Sequence, residues 1–270
     1  MNETLSAELK VVKKRRAGWV VLSVLIAFLA LNYLLTYFAP NVPIAKKFLL
    51  PKNAIKYTIF QLGSNGVFMA AIFGGFFFGS PFSWRTYETR LVYFRGRDKI
   101  FGGKLGTILV ILTFWLIVGL AFGHIISFSL GFLEGDIAYS PPGFWLVIRA
   151  FFLVLAVWFC WFTLGGTISL WSRSTAMGVG LTLAYYFLEN IIFAVPGFAE
   201  LVEGYTFFFL GRASSGLFFQ LFPGEWLVPR SSAAAQVAEL PSLVPVIFGY
   251  LVGLTFLGWW RFRTMEISEG

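Results

Sequence analysis

Residues 105–133 read LGTILVILTFWLIVGLAFGHIISFSLGFL, an unbroken run without one charged side chain, closed off by Lys104 and Glu134. A helix crosses the hydrocarbon of a bilayer in about 20 apolar residues. It does so because it satisfies its own backbone polar groups where no water can. The run predicts a membrane span over roughly Leu105–Leu130. Five further intervals between charges read the same way: Gly18–Phe38, Tyr57–Gly79, Phe144–Trp171, a stretch from beyond Arg173 to about Val195, and one between Glu239 and Arg261.

Composition supports this reading. Of 270 residues, 58% are apolar and 13% charged, with a mean hydropathy of +0.77. A soluble domain carries about 25% charged residues, and a disordered chain combines low hydrophobicity with high net charge. Both classes are excluded. A single cysteine, Cys160, and a single histidine, His124, leave no disulfide framework and no multi-histidine site. The expected fold class is all-α: one polytopic transmembrane domain over residues 1–270 with six transmembrane helices.

Basic residues tend to flank spans on the cytoplasmic side. With the N-terminus inside, the segments Met1–Arg16, Pro81–Lys104, Trp171–Ser174 and Arg261–Gly270 hold 14 of the 21 Lys and Arg residues. Both termini are therefore expected in the cytoplasm. Four lysines in the first outer loop, Lys46, Lys47, Lys52 and Lys56, run against the trend. The net charge of +8 reads as topology and anionic-lipid contact, not as a nucleic-acid surface. The run after Arg16 is too long for the 7–15-residue core of a signal peptide, so it reads as a permanent span.

The connections carry further signals. In Ser83–Lys104, SWRTYETRLVYFRGRDKIFGGK, the residues Trp84, Tyr87, Leu91 and Phe94 recur at helical spacing and form one apolar stripe. Glu88 can pair with Arg85 one turn away. An amphipathic helix on the cytoplasmic membrane surface is expected over 83–101, as an interfacial anchor or a docking surface. Residues 1–16, with Leu5, Leu9 and Val12 on one side, predict a second surface helix. Residues 196–241 are rich in Phe, Gly and Ser. Their apolar pieces, Thr206–Leu210 and Leu217–Phe222, are too short to cross and suggest an outer re-entrant or membrane-resting segment.

Catalytic motifs are scarce. The nearest string to a phosphate-binding loop is Asp98–Leu105, DKIFGGKL. It has Asp where the first glycine is needed and Leu where Ser or Thr would meet magnesium. A serine nucleophile within Arg212–Gly216, RASSG, would need His124 as its base. Cys160, between Phe159 and Trp161, reads as a small buried residue. Glu189 and Asn190 stand inside the fifth apolar run. An intramembrane carboxylate lines a pathway or pairs within a bundle. If the span ended at Leu188, Glu189 would instead lie at the outer interface.

The order of these features resembles the permease subunit of ABC transporters of the type-2 exporter class. That class commonly shows a Trp-Gly-Thr-like start after the second span, an Arg about eleven residues past the Thr, and a Gly-Lys pair opening the third span. Trp84 and Thr86, Arg97, and Gly103 with Lys104 match these positions. Arg85 replaces the usual Gly, and the acidic residue often found just before the motif is absent from Gly79–Phe82. Glu8-x-Lys10 followed by Arg15 and Arg16 is similar to the family's pre-span helix, and Trp171–Ser174, WSRS, to its turn between spans four and five. The resemblance implies two facing permease chains, identical or related, and two cytoplasmic ATPase subunits that bring ATP and magnesium, with no cofactor in this chain. It implies that residues 83–101 are the coupling helix. Trp84, Arg85, Thr86, Glu88, Arg95, Arg97 and Lys104 are then the expected ATPase-coupling residues, and Glu189 and Asn190 candidates for the translocation path or for bundle packing. Two other classes stay open: an ATP-independent carrier or channel, and a membrane-embedded enzyme.

Overall fold

The computed structural model describes residues 2–14, 16–38, 48–84, 87, 96–139, 142–195, 205, 208–221 and 240–265. All regular structure among them is helical. A short helix, α1 (Asn2–Lys14), precedes α2 (Arg16–Phe38). A 3-10 turn, Pro51–Asn53, leads into α3 (Ala54–Ser83). Then follow α4 (Arg97–Glu134), α5 (Phe144–Ser172), α6 (Thr175–Ala194), α7 (Leu210–Leu221) and α8 (Leu240–Thr264). All of these except α1 and α7 are long and apolar enough to cross a membrane, which makes six. The chain has the architecture of an integral membrane protein, and the six expected spans are present.

Two boundaries differ from the sequence reading. The second span begins at Ala54 and takes in Lys56. The helix of the third span begins at Arg97 rather than Leu105. At 38 residues it is about 57 Å long, against a hydrocarbon core of about 30 Å, so α4 projects well beyond the bilayer. The fifth span runs to Ala194, close to the expected Val195, and so takes in Glu189 rather than ending at Leu188.

Helix ends follow local chemistry. Pro81, with no N–H to contribute, sits in the last turn of α3. Gly135 adopts φ 71° after α4, and the Asp136 N–H closes back on the Gly131 carbonyl at 2.9 Å. Between α5 and α6, Arg173 adopts the left-handed φ of 52°. Ser174 then caps α6 by accepting the Met177 N–H. The WSRS stretch is thus a tight turn, as expected.

Helix α3 is the most buried span, with α5 next. Lipid tails are as apolar as the side chains, so contact between spans depends on close packing and interhelical hydrogen bonds. The α3–α5–α6 junction is a seam of glycines. A methyl group added at Gly79 would stand 2.6 Å from the Thr175 Cα, and one at Gly75 would stand 2.9 Å from the Val179 backbone nitrogen. Gly165 faces Ala71 and Gly75, and Gly166 faces Phe78. The pairs Gly74–Gly75 and Gly165–Gly166 serve close packing. Hydrogen bonds flank the seam: Ser169 Oγ donates to the Gly75 carbonyl at 2.9 Å, and Trp158 Nε1 to the Leu62 carbonyl at 2.9 Å. On the other flank the Tyr33 hydroxyl bridges α2 to Thr58 of α3 at 2.7 Å.

Candidate coupling end and an intramembrane carboxylate

At one end of the bundle, α1, the starts of α2 and α4, the α5–α6 turn and the end of α8 come together. Arg97 opens α4, and its Nη1 donates to the carbonyls of Arg263 (2.5 Å) and Met265 (2.7 Å). These belong to the last turn of α8 and the residue after it. The end of a helix leaves carbonyls without partners and carries partial negative charge, so a guanidinium is well matched there. The neighbouring Asp98 accepts from Trp259 Nε1 at 2.8 Å. Arg97 and Asp98 together clamp α8 to α4. On the α5 side, the Arg261 guanidinium lies over the Trp171 ring at 5.4 Å.

Lys104 lies one to two turns further along α4 and is buried. Its ammonium is 3.8 Å from the Glu8 carboxylate of α1 and 4.4 Å from the centre of the Phe77 ring of α3. Tyr87 is buried beside it. The Tyr87 hydroxyl donates to the Phe78 carbonyl at 3.0 Å, and its ring packs edge-on against Phe262 of α8. Tyr87 thus anchors the α3–α4 connection to α3 and α8.

Two of the expected ATPase-coupling residues make their described contacts within the chain. Arg97 holds the α8 carbonyls, and Lys104 is enclosed between α1, α3 and α4. The physical reason is the same for both: a cation beside an apolar span is held inward when carbonyls, a carboxylate or ring faces meet it. Trp84 caps α3 and is 55% exposed. Of the surface helix expected over 83–101, Ser83 ends α3, Tyr87 is helical and 97–101 form the first turn of α4; residues 85–86 and 88–95 of it lie outside the described residues. Arg85, Thr86, Glu88 and Arg95 lie outside the described residues.

The second locus is Glu189. It is only 5% exposed and sits on α6, about 21 Å from Thr175 at 1.5 Å per residue. Both carboxylate oxygens are taken up. Oε1 accepts the Arg212 N–H at 2.6 Å, and Oε2 the Gly211 N–H at 3.0 Å. The Tyr185 hydroxyl accepts the Leu210 N–H at 3.2 Å and is hydrogen-bonded to Glu189 as well. The first three N–H groups of α7 are thus capped by two side chains one turn apart on α6. Such groups have no partner within their own helix, and the positive end of a helix favours an anion. The Arg212 guanidinium rests on the Phe193 ring at 4.4 Å.

Helix α7 therefore starts deep beside α6. It buries Ala213, Ser214 and Leu217, and Ser214 accepts from Trp161 Nε1 of α5 at 3.3 Å. Within the segment expected to be re-entrant or membrane-resting, the described residues thus hold one helix over Leu210–Leu221. Of the two alternatives for Glu189, the geometry is that of packing. Asn190, one residue on, points away and donates to the Tyr186 carbonyl of its own helix. The structure does not bring the two to one place.

The candidate nucleophile and base are also apart in role. Ser214 and Ser215 donate to the Leu210 and Gly211 carbonyls of their own helix, and His124 bonds the Leu120 carbonyl of α4. Cys160 is buried against the Ile247 carbonyl.

No protein-family model and no curated protein matches this chain. Its functional reading rests on its own residues. Among these, the pairing of Glu8 with Lys104 and the Tyr185–Glu189 cap were not foreseen. The spacing of Tyr185 and Glu189, one helical turn apart in an apolar span, was the available signal.

Proposed function

We propose that this chain is the membrane-spanning permease subunit of an ATP-driven exporter of the ABC type-2 class. It would move its substrate out of a bacterial or archaeal cytoplasm, with both termini inside. A separate ATPase subunit supplies the energy, and a second permease chain, identical or related, completes the path. One observation carries the reading. Tyr87 ties the polar α3–α4 connection to α3 and α8, and Arg97, Asp98 and Lys104 just beyond it tie the start of α4 to α8 and α1. A partner pressing on that connection would act on four helices together, which is what a coupling segment must do to bias two packings of a bundle. The matching Trp84, Thr86, Arg97 and Gly103–Lys104 spacing supports the same reading.

The test is purification of the tagged chain in lipid nanodiscs after mild crosslinking in native cells, with mass spectrometry of what accompanies it. Near-stoichiometric recovery of a soluble ATPase bearing a phosphate-binding loop is the expected result. Recovery of the chain alone would remove the docking argument and favour a carrier working without ATP.

A further inference from the structure

An apolar cleft of about 230 Å³ opens between α1, the start of α2 and the middle of α4. Its walls include Val12 of α1, Gly18 and Trp19 of α2, and Val110 and Phe114 of α4. Lys13 stands at its rim, and a second hollow along the same side of α1 is lined by Leu5, Leu9 and Lys10. The elbow between α1 and α2 is held by the Trp19 indole, which donates to the Lys13 carbonyl at 3.2 Å. Gly18 adds no side chain to fill the space.

We propose that this cleft holds an acyl chain of an anionic phospholipid whose phosphate is met by Lys13 and Lys10. The inference depends on the membrane architecture and not on the exporter reading. Two properties select the ligand. The walls are hydrocarbon and aromatic, so water gains nothing there, whereas an acyl chain from the surrounding bilayer fills the space at no desolvation cost and gains packing contacts. The rim is basic: Lys10, Lys13, Lys14 and Arg16 are all exposed. The described acidic side chain of α1, Glu8, is turned inward to Lys104. A zwitterionic headgroup brings a cation of its own, which the described lysines and arginine of this rim repel. A net-negative headgroup meets only complementary charge.

The experiment is native mass spectrometry of the full-length chain released from nanodiscs of equal parts phosphatidylglycerol and phosphatidylcholine. The wild type should retain one phosphatidylglycerol in preference to phosphatidylcholine. Lys10→Gln/Lys13→Gln should lower that preference about thirtyfold, two interfacial lysines being removed. Lys52→Gln/Lys99→Gln, which removes the same charge from exposed positions elsewhere, should leave it unchanged. Val110→Trp fills the cleft from an exposed position and should remove one retained lipid while the melting temperature holds. Equal retention of the two lipids by the wild type would overturn the proposal. So would an equal loss in the control pair, which would mean diffuse charge attraction, or undiminished retention in Val110→Trp, which would mean a headgroup bound without its chain.

Discussion

Lys104 and Glu8 form an ion pair with their charged atoms 3.8 Å apart and their side chains 1% and 7% exposed. One residue belongs to a short terminal helix and the other to a membrane span. The pair is therefore what fixes α1 against α4. Removing one partner of a buried pair leaves an uncompensated charge, which costs about 3–5 kcal/mol, whereas replacing both is close to neutral. Lys104→Met should lower the melting temperature of the detergent-solubilised protein markedly, and Glu8→Gln/Lys104→Met should regain most of the loss. Additive losses in the double variant would mean that the two charges do not act as a pair.

Glu189→Gln should loosen the start of α7. The amide has one accepting oxygen where the carboxylate has two, and its NH2 group would face an N–H donor. A charged hydrogen bond of this kind contributes about 1.5–3 kcal/mol. Hydrogen exchange at residues 210–212 should rise by at least tenfold, while that of α3 stays as it was. Unaltered protection at 210–212 would show that the cap is not what holds the helix.

Gly211→Ala tests the same contact from the other side. A methyl group there would lie 2.7 Å from Glu189 Oε1, so the carboxylate must withdraw. The exchange rates of Gly211→Ala should match those of Glu189→Gln. Combining the two should add little, because both remove one interaction.

Arg97→Gln should free the end of α8. The amide cannot supply the two bonds that the guanidinium gives to Arg263 and Met265. Arg97→Lys, with its compact ammonium, should restore them only in part. Limited proteolysis after residue 260 should accelerate in Arg97→Gln. Under the proposed function, Glu88→Lys should abolish recovery of the ATPase and Arg97→Gln should not, since Arg97 Nη1 already serves the α8 carbonyls. Loss of the ATPase in Arg97→Gln with normal proteolysis would return Arg97 to the docking surface.

The spans were legible because charge-free runs of this length have one physical solution in a bilayer. The pinning of Lys104 was not, because a basic residue at the edge of a span usually reaches headgroups, and only the tertiary fold brings Glu8 to it. Glu189 was visible as an anomaly. Its position along α6 could be counted, yet the helix that returns to meet it lies more than twenty residues on, and no periodicity links the two. The tight WSRS turn was legible from its shortness alone. The glycine pairs were visible too, but whether they bend a helix or admit a neighbour is decided by what lies opposite.

The seam through Gly75, Gly79, Gly165 and Gly166 has a mechanical meaning. Where backbone meets backbone there are no rotamers to absorb a displacement, so α3, α5 and α6 must shift as one body or come apart. That body carries Glu189, and Glu189 carries the start of α7. A tilt applied where α3 ends at Ser83 would thus be transmitted stiffly through α3, α5 and α6 and would arrive as motion of α7.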